Sequence, residues 1–425
     1  MGFKNKVISK LNLLSDWKNI SFLGSGHILS ALLTLLYGKL ISIYILPNDL
    51  GVYNLELTGM LLFYSVVINP IIQSYMKELQ VANQDKVVHY YSTFLLKIYL
   101  FILIASLIYS FCFNHRLYVV LIVLSGISQS SFMFLNSYLN LSFKYKSIAF
   151  IQAINPFINL VILNVLIVFF AANSVLLWTN YIFLYFILTL LVLFRLYKLK
   201  LLGDINLGKV SKIDKIIMFK SLYKYVRPLL VYTIFGWIVN YADRYIIDYY
   251  LNKTEVGYYA TGYGLGAKIA IVAAPFNQYL MPIVYKYRKD KVLSSKVNVI
   301  IYKYMLLFFV LSLPLCIFLF IFYNQIGILL LSQLYNKSFY IIPVIALAYV
   351  FSHTCQFMEV KFYSYGATKY IFYGMLFNFL INLPFNIMLV PSFGMIGAAY
   401  ATLAGYFVQF CVILYLFNFK YIEIR

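Results

Sequence analysis

Asp49-Leu50-Gly51-Val52-Tyr53 and Glu255-Val256-Gly257-Tyr258-Tyr259 are two versions of one short motif, and 206 residues separate their first positions. Each version stands at the start of a long apolar segment that carries a proline, a glutamine and a methionine at matching places. These are Pro70, Gln73 and Met76 in the first segment and Pro275, Gln278 and Met281 in the second, 205 residues later. A repeated order at a nearly constant separation indicates an internal duplication, and duplicated halves are typical of membrane transporters.

The composition is that of a membrane protein: 63% of the 425 residues are hydrophobic and 11% are charged, with a mean hydropathy of +0.84. Soluble folds of this size do not have such a composition, and about 20 mostly apolar residues suffice to cross a bilayer as a helix. Twelve such spans are predicted, near residues 20–46, 53–75, 91–113, 117–138, 148–170, 176–196, 228–251, 257–281, 299–322, 340–363, 370–390 and 396–418. We therefore predict an all-α integral membrane protein with about twelve transmembrane helices in two six-helix bundles related by a parallel internal repeat.

The net charge of +21 at first suggests a nucleic-acid partner, but its distribution along the chain does not. With both termini in the cytoplasm, most of the 34 lysines and arginines fall in the termini and in the loops on that side. Arg116, Lys253 and Lys337 are the ones predicted on the outer side. This bias follows the positive-inside rule, so we predict a multi-pass protein with cytoplasmic termini and no nucleic-acid partner.

A basic stretch divides the chain. We predict an N-terminal six-helix bundle at residues 1–196, a basic cytoplasmic linker at 197–227 and a C-terminal six-helix bundle at 228–425. Between Lys209 and Lys224 the lysines alternate with isoleucines and Phe219, a pattern that also suits an amphipathic helix on an anionic membrane surface. A simple connecting linker is the favoured interpretation.

The loops predicted on the outer side are short, among them residues 47–50, 114–116, 171–174, 252–255 and 391–393. None is long enough to form a catalytic domain, which disfavours a membrane polymerase or a glycosyltransferase. The four cysteines and four histidines do not have the spacing of metal ligands, and no phosphate-binding glycine-rich motif occurs. We expect no catalytic residue, no metal and no cofactor.

Ionisable side chains within the spans are the candidates for function, because a charge at membrane depth is costly and usually marks a pathway. Lys268 lies about 11 residues from either end of span 8, too deep to reach the membrane surface easily. Lys39 and Arg244 lie closer to the outer side, and Lys97 and Lys303 occupy matching positions in the two halves. The predicted substrate-binding residues are these five cations: Lys39, Arg244, Lys268, Lys97 and Lys303. By contrast, Lys361 is near enough to the inner end of its span to snorkel.

Span 7 contains the densest polar cluster, with Asn240, Asp243, Arg244 and Asp248. Arg244 and Asp248 are four residues apart and share a helix face. Either this surface neutralises itself against another span, or a carboxylate moderates the hold of Arg244 on an anionic substrate. The candidates for coupling to an ion gradient are Asp243, Asp248, Glu56 and Glu359. For His353, a hydrogen-bonded core position is favoured over a proton carrier.

Two parts of the chain resemble a known family. The stretch Asn378-Phe379-Leu380-Ile381-Asn382, followed by Pro391-Ser392-Phe393-Gly394-Met395-Ile396-Gly397-Ala398-Ala399-Tyr400-Ala401-Thr402, resembles the penultimate-span region of polysaccharide exporters. The pair Asp243-Arg244, followed by Val256-Gly257-Tyr258-Tyr259, resembles their seventh-span pattern. With twelve spans in two halves, the chain looks like an O-antigen flippase of the multidrug/oligosaccharidyl-lipid/polysaccharide exporter superfamily. The first half departs from the pattern, since Ala171-Ala172-Asn173-Ser174 stands in place of the glycine-rich turn.

The resemblance implies a flippase that moves an undecaprenyl-pyrophosphate-linked oligosaccharide, such as an O-antigen repeat unit, from the inner to the outer leaflet of the bacterial inner membrane. Its anionic head group requires a wet cationic cavity, where arginine suits pyrophosphate through paired hydrogen bonds and lysine acts as a point charge. We expect alternating access coupled to a proton or sodium gradient, and membrane lipids, a polysaccharide polymerase and a chain-length regulator as partners. Two alternatives stay open: a cation-coupled multidrug exporter and a polysaccharide polymerase.

Overall fold

The computed structural model describes residues 13–79, 84–113, 118–141, 145–199, 211–287 and 297–419, and these ranges are built from helices joined by short turns. In the first half the helices are α1 (Leu13–Tyr44), α2 (Pro47–Phe63), α3 (Asn69–Glu78), α4 (Gln84–Cys112), α5 (Tyr118–Leu141), α6 (Tyr145–Phe169) and α7 (Ser174–Lys198). In the second half they are α8 (Lys212–Tyr250), α9 (Lys253–Gly266), α10 (Ala270–Tyr287), α11 (Val297–Ile321), α12 (Tyr323–Leu330), α13 (Ile341–Ser364), α14 (Thr368–Phe393) and α15 (Met395–Phe419).

Twelve long helical segments lie where the sequence predicts spans. Nine segments in the described ranges are long and apolar enough to cross a membrane, and one of them, Pro47–Glu78, consists of α2 and α3 together. The remaining three predicted spans correspond to α1, to α8 and to α9 with α10. The predicted all-α integral membrane fold is confirmed.

Three predicted outer loops are helical instead. Residues 47–50 form the first turn of α2, residues 253–255 the first turn of α9, and residues 391–393 the last turn of α14. Pro47 fits the first position of a helix because its missing N–H has no helical partner there. Asn252 caps α9 by accepting a hydrogen bond from the backbone amide of Glu255 at 3.0 Å. The loop predicted at 114–116 lies outside the described residues.

Other helix ends follow from local chemistry. Asn173 caps α7 by accepting hydrogen bonds from two backbone amides of its first turn, and Ser211 caps α8 in the same way through the amide of Asp214. Gly394 separates α14 from α15 with a φ of 67°, which costs a glycine no clash with a Cβ. The tight turn expected at Gly394 is therefore present, after a longer helix than expected.

The second span of each half changes its winding at a similar place. A π-helical turn at Tyr64–Ile68 joins α2 to α3, and a 3₁₀ turn at Ala267–Ile269 joins α9 to α10. Pro70 lies at the start of α3, directly after the π-helical turn, and it has no N–H to donate to the carbonyls of that turn. These irregular turns matter for the site because one of them carries Lys268.

The chain packs as two compact units: unit A comprises Met1–Lys39 with Tyr258–Arg425, and unit B comprises Leu40–Gly257. In unit B, a buried apolar cluster that includes Ile71, Tyr91 and Leu222 joins α3, α4 and α8. In unit A, α13 is the most enclosed of the candidate spans. The units follow helix packing and not the internal repeat, so the predicted boundaries at residues 196 and 228 stay a prediction.

The two copies of the duplicated motif pack against each other inside unit B. A Cβ added to Gly51 in α2 would lie 1.8 Å from the carbonyl oxygen of Lys253, and one added to Gly257 in α9 would lie 1.9 Å from that of Pro47. Each glycine thus allows the first turn of one helix to touch the backbone of the other. The motif that reveals the duplication is also the point where its two copies meet.

Candidate functional site

Asp243 and Arg244 are brought together near the end of α8. Both side chains are buried, with exposed fractions of 1% and 6%, and a guanidinium nitrogen of Arg244 lies 3.4 Å from Oδ1 of Asp243. The same nitrogen donates a hydrogen bond to the backbone carbonyl of Asn240 at 2.9 Å. The guanidinium also lies 5.2 Å from the ring centre of Tyr241, in cation–π range. The predicted arginine of the site is therefore held inside its own helix.

The ion pair of Arg244 differs from the one its helix spacing suggests. Asp248 shares its face and is half-buried, yet the carboxylate beside the guanidinium is that of Asp243. Asp243 and Arg244 have opposite charges, so each compensates the other and neither is a buried unpaired charge. The four-residue spacing thus gives the face that Arg244 shares with Asp248, whereas the ion pair is with Asp243.

Lys39 holds the end of a short helix in unit A. Its ammonium donates hydrogen bonds to the backbone carbonyls of Ile328, at 2.8 Å, and of Leu331, where α12 ends. A cation is favoured at a helix C-terminus because the last carbonyls have no helical partner and carry partial negative charge. Lys39 thus has a structural role here, and its predicted role in binding substrate stays a prediction.

Lys268 lies in the 3₁₀ turn between α9 and α10 and is half-buried. Within the part of the chain that the structure describes, its ammonium makes no hydrogen bond and no ion pair. Gly264, one turn earlier, is exposed and has no atom within 4 Å of the place a Cβ would occupy. Within the predicted span 8, the lysine is therefore a cation without a counter-ion among the described residues, on a helix with open space one turn away.

Lys97 and Lys303 have similar surroundings. Lys97 is exposed on α4 beside the exposed Leu100 and Phe101, and Lys303 is exposed on α11 beside Leu306. An apolar exposed stripe is what a helix presents to lipid, and a lysine on it reaches the membrane surface by extending its stem. The matching positions of these lysines are real, but their surroundings favour snorkelling. Their role in substrate binding stays a prediction.

Glu56 joins three helices of unit B. Its Oε2 accepts hydrogen bonds from the hydroxyl of Tyr118 at 2.6 Å and from the indole nitrogen of Trp178 at 2.9 Å. The hydroxyl of Tyr118 also lies 3.1 Å from Oγ of Ser174. Two donors from different helices stabilise the charged carboxylate, so Glu56 ties α2 to α5 and α7.

Glu359 is a buried carboxylate of unit A, 8% exposed. Nε2 of Gln409 lies 3.5 Å from its Oε1, and Oε1 of Gln409 accepts a hydrogen bond from Asn378 at 2.8 Å. No cation pairs with Glu359 among the described residues. Near it on α13, the buried His353 has its Nδ1 3.1 Å from Oε1 of Gln356, as a hydrogen-bonded core histidine would.

A column of buried amides on α14 was not among the predicted site residues. Asn378, Asn382 and Asn386 follow one another every four residues, and each is at most 2% exposed. Nδ2 of Asn386 donates to the backbone carbonyl of Asn382 at 2.9 Å. The four-residue spacing was the available signal, since it places all three amides on one helix face. Buried amides need partners, and this column gives α14 a polar seam toward α15.

An ion pair joins the first turns of two helices, and its carboxylate lies outside the membrane-spanning segments. The ammonium of Lys86, in the first turn of α4, lies 2.9 Å from Oδ2 of Asp214 in the first turn of α8. Hydrogen bonds from Lys86 and Ser211 lower the pKa of Asp214 below its ordinary value of 3.8. The pair ties the beginning of α8 to the beginning of α4.

Comparison with known proteins gives one family and several solved structures of similar fold. The sequence profile of a family described as polysaccharide biosynthesis protein matches residues 45–339. No curated protein sequence matches the chain. Among solved structures, the chain is similar to the lipid II flippase MurJ in an inward closed conformation, with a TM-score of 0.71 and 14% identity over 93% of this chain and 86% of that chain.

Two further structures extend the likeness. The Vibrio cholerae MATE transporter VcmN, in a mutant form, has a TM-score of 0.63 and 13% identity over 95% of this chain and 96% of its own. A transporter of the MOP superfamily from Pyrococcus furiosus has a TM-score of 0.63 and 11% identity over the same shares. At these identities the likeness establishes the fold alone, which this chain shares with the three solved proteins.

Proposed function

Since this chain belongs to the polysaccharide biosynthesis protein family, we propose that it is a flippase for an undecaprenyl-pyrophosphate-linked oligosaccharide such as an O-antigen repeat unit. The head group would cross from the inner to the outer leaflet of the bacterial inner membrane through a cationic cavity, by alternating access. The lipid tail would stay in the bilayer. Both termini would be cytoplasmic, as the distribution of lysine and arginine predicts.

The observation that carries this proposal is the state of Lys268. A charged ammonium at membrane depth is costly unless something negative or polar accompanies it. Arg244 has Asp243 at 3.4 Å and Lys39 has two carbonyls, whereas Lys268 has no such partner among the described residues. A pyrophosphate passing this level would supply the missing negative charge, and lysine would hold it as a point charge that releases readily.

The test replaces Lys268 with alanine and with arginine in a strain that lacks the chromosomal copy. Losing one charge-assisted contact of about 1.5–3 kcal/mol predicts a fall in surface glycan of roughly 10- to 100-fold in Lys268→Ala cells. Unflipped single repeat units would accumulate on their lipid carrier, and Lys268→Arg would retain part of the activity. Normal surface glycan in Lys268→Ala cells, with the protein inserted, would refute the cationic cavity.

Lys361 offers a matched control. It is also a half-buried lysine of unit A, but its ammonium lies 4.6 Å from the ring centre of Phe417, and its place near the end of α13 allows it to snorkel. Lys361→Gln should therefore leave surface glycan close to the level of the unaltered protein. An equal loss of surface glycan in Lys361→Gln and Lys268→Ala cells would show that replacing either lysine impairs this protein, with no special role for Lys268.

We further propose Glu359 as the group that couples transport to a proton or sodium gradient. Of the four candidates, Asp243 is occupied by Arg244 and Glu56 by two donors, and Asp248 is less buried. Glu359 is buried, has the amide of Gln409 at 3.5 Å and pairs with no cation among the described residues, so binding and releasing a positive ion would change its electrostatic energy most. Glu359→Gln should abolish dependence on the gradient, whereas Asp248→Asn should leave it intact.

Two other functions remain to be separated from this one. The multidrug transporters to which the chain is similar favour a cation-coupled drug exporter, which predicts that Lys268→Ala preserves or improves export of cationic dyes. A polysaccharide polymerase predicts long outer segments, which thiol labelling of single cysteines would detect. If the flippase proposal is correct, a polysaccharide polymerase and a chain-length regulator would act on its product, and their loss would leave flipping of single units unchanged.

A further inference from the structure

The first four turns of α8 present a face that packs against none of the described helices. Its members are exposed and are of two kinds, basic and apolar: Lys212, Lys215, Lys220, Lys224 and Arg227, with Ile213, Ile216, Ile217, Phe219 and Tyr223. We call this set the basic face. The five apolar side chains are between 52% and 70% exposed. In water such a row of large apolar groups would be unfavourable.

The orientation of this face is fixed from behind. Met218 and Leu222 are buried in the cluster that includes Ile71, Tyr75 and Tyr91 of α3 and α4. On the same side, Ser221 donates a short hydrogen bond to Oε1 of Glu78. Because these contacts determine the rotation of α8 about its axis, the basic face points away from the helices of unit B.

In residues 212–227 the basic groups of the exposed side are separated from the one acidic group. The sole carboxylate between residues 212 and 227 is that of Asp214, and Lys86 neutralises it at 2.9 Å. The basic face itself contains five cations and no acidic group. Its lysines and isoleucines interleave along the helix, so a single flat partner would meet both kinds at once.

The level of the basic face is also defined. Met218 and Leu222 pack where α3 ends and α4 begins, which is the end of two membrane-spanning segments. The basic face therefore lies at the height of a membrane surface, on the side where α8 begins. At that height, apolar side chains reach the acyl region while lysines extend to the headgroups.

We propose that the basic face binds the anionic phospholipids of the adjacent leaflet. A bilayer with negatively charged headgroups matches both the apolar and the basic side chains of this face. Its acyl region takes up the isoleucines, and its headgroups attract the lysines. Each basic group near the surface raises the binding constant by about fivefold. Nucleic acid would match the charge and leave five large apolar side chains in water. The lipid contact would hold the beginning of span 7 at the membrane surface, whatever the protein transports.

The experiment uses the full-length protein in vesicles. A cysteine-free form receives one reporter, Ile216→Cys, labelled with an environment-sensitive fluorophore, and acrylamide serves as a neutral aqueous quencher. Vesicles of phosphatidylcholine alone are compared with vesicles that also contain phosphatidylglycerol. We expect quenching at position 216 to fall about threefold when the anionic lipid is present. A second reporter, Tyr249→Cys, is exposed at the opposite end of α8 and should show no such dependence.

Two variants test the two kinds of side chain separately. Replacing Lys212, Lys215, Lys220 and Lys224 with glutamine should abolish the effect of phosphatidylglycerol. Ile213→Asn with Ile217→Asn keeps every charge, and with it the charge bias that orients the protein, and should restore quenching in both vesicles. Equal quenching at position 216 in the two lipid mixtures overturns the proposal: equally high quenching leaves the basic face in water and open to a soluble partner, and equally low quenching shows insertion that needs no anionic lipid. None of these readouts requires transport, so they stand or fall independently of the proposed flippase activity.

Discussion

Replacing Gly51 with alanine should push apart the first turns of α2 and α9. The new Cβ would lie 1.8 Å from the carbonyl oxygen of Lys253, and side-chain carbons essentially never come closer than 3.0 Å to such an atom, so the helices must separate by about 1.2 Å. The carbonyl is part of a helix backbone and cannot turn aside. Overpacking of this kind costs about 1–3 kcal/mol.

Inside a helix, alanine is also more favourable than glycine by about 1 kcal/mol, and this gain would mask part of the cost of the clash. Gly264→Ala provides the correction, because Gly264 is helical in α9 and has no atom within 4 Å of the added carbon. The propensity gain then cancels in the difference between the two variants. For a chain of 425 residues, an entropy of unfolding of about 2 cal/mol/K per residue converts the remaining 1–3 kcal/mol into roughly 1–3 °C in midpoint.

The assay is the thermal unfolding midpoint of the purified protein in detergent, for Gly51→Ala, Gly257→Ala, the double variant and Gly264→Ala. Because the two glycines belong to one reciprocal contact, separating the helices once should relieve both clashes, and the double variant should lose less than the sum of the single losses. Equal midpoints for Gly51→Ala and Gly264→Ala would refute the close contact. If the loss in the double variant equals the sum of the two single losses, the two glycines do not belong to one reciprocal contact.

Three more outcomes follow from single contacts. Lys86→Gln should remove a pH-dependent part of the stability. Because the pKa of Asp214 is lowered in the folded protein, the ion pair stabilises fully above the ordinary carboxyl pKa of 3.8, and this stabilisation is lost as the pH falls through the lowered pKa. Acid unfolding curves of the two proteins would show the difference. Glu56→Ala should destabilise unit B by about 2–4 kcal/mol, because it leaves the indole of Trp178 and a tyrosine hydroxyl without their acceptor, whereas Glu56→Gln should cost less in the same thermal assay. Lys39→Met should expose the end of α12 to hydrogen exchange while Lys361→Gln should not, and equal protection in both variants would contradict the helix-end contact.

The spans were readable from the sequence because length and hydropathy alone determine what crosses a membrane. The extension of α8 was readable only in part. The pattern of residues 209–224 suits an amphipathic helix as well as a connecting linker, and the linker was favoured. Residues 212–227 are helical, and Met218 and Leu222 dock on α3 and α4. That docking depends on residues more than a hundred positions away, which no local pattern reveals.

The candidate cations were also identified from hydropathy, as charged residues within predicted spans. Their tertiary contacts in the structure then distinguished them. Spacing placed Arg244 on a face with Asp248, but burial selected the neighbouring Asp243. Lys39 and Lys268 are both lysines in apolar segments, and the sequence separates them only by their predicted depth. The first meets the carbonyls that end α12, while the second meets no partner among the described residues. Only the fold supplies that difference, because carbonyls at helix ends are invisible in composition.

The continuous course of α8 past a proline has a mechanical consequence. Its 39 residues span roughly 58 Å, and Pro228 lies between the lysine-rich beginning and Arg244. Proline has no N–H to donate to the preceding turn, and such positions are where long helices bend. Bending α8 by about 5° at this position would displace its far end by roughly 3 Å, so that the lysine-rich beginning and the turn that carries Arg244 change their angle while both stay helical.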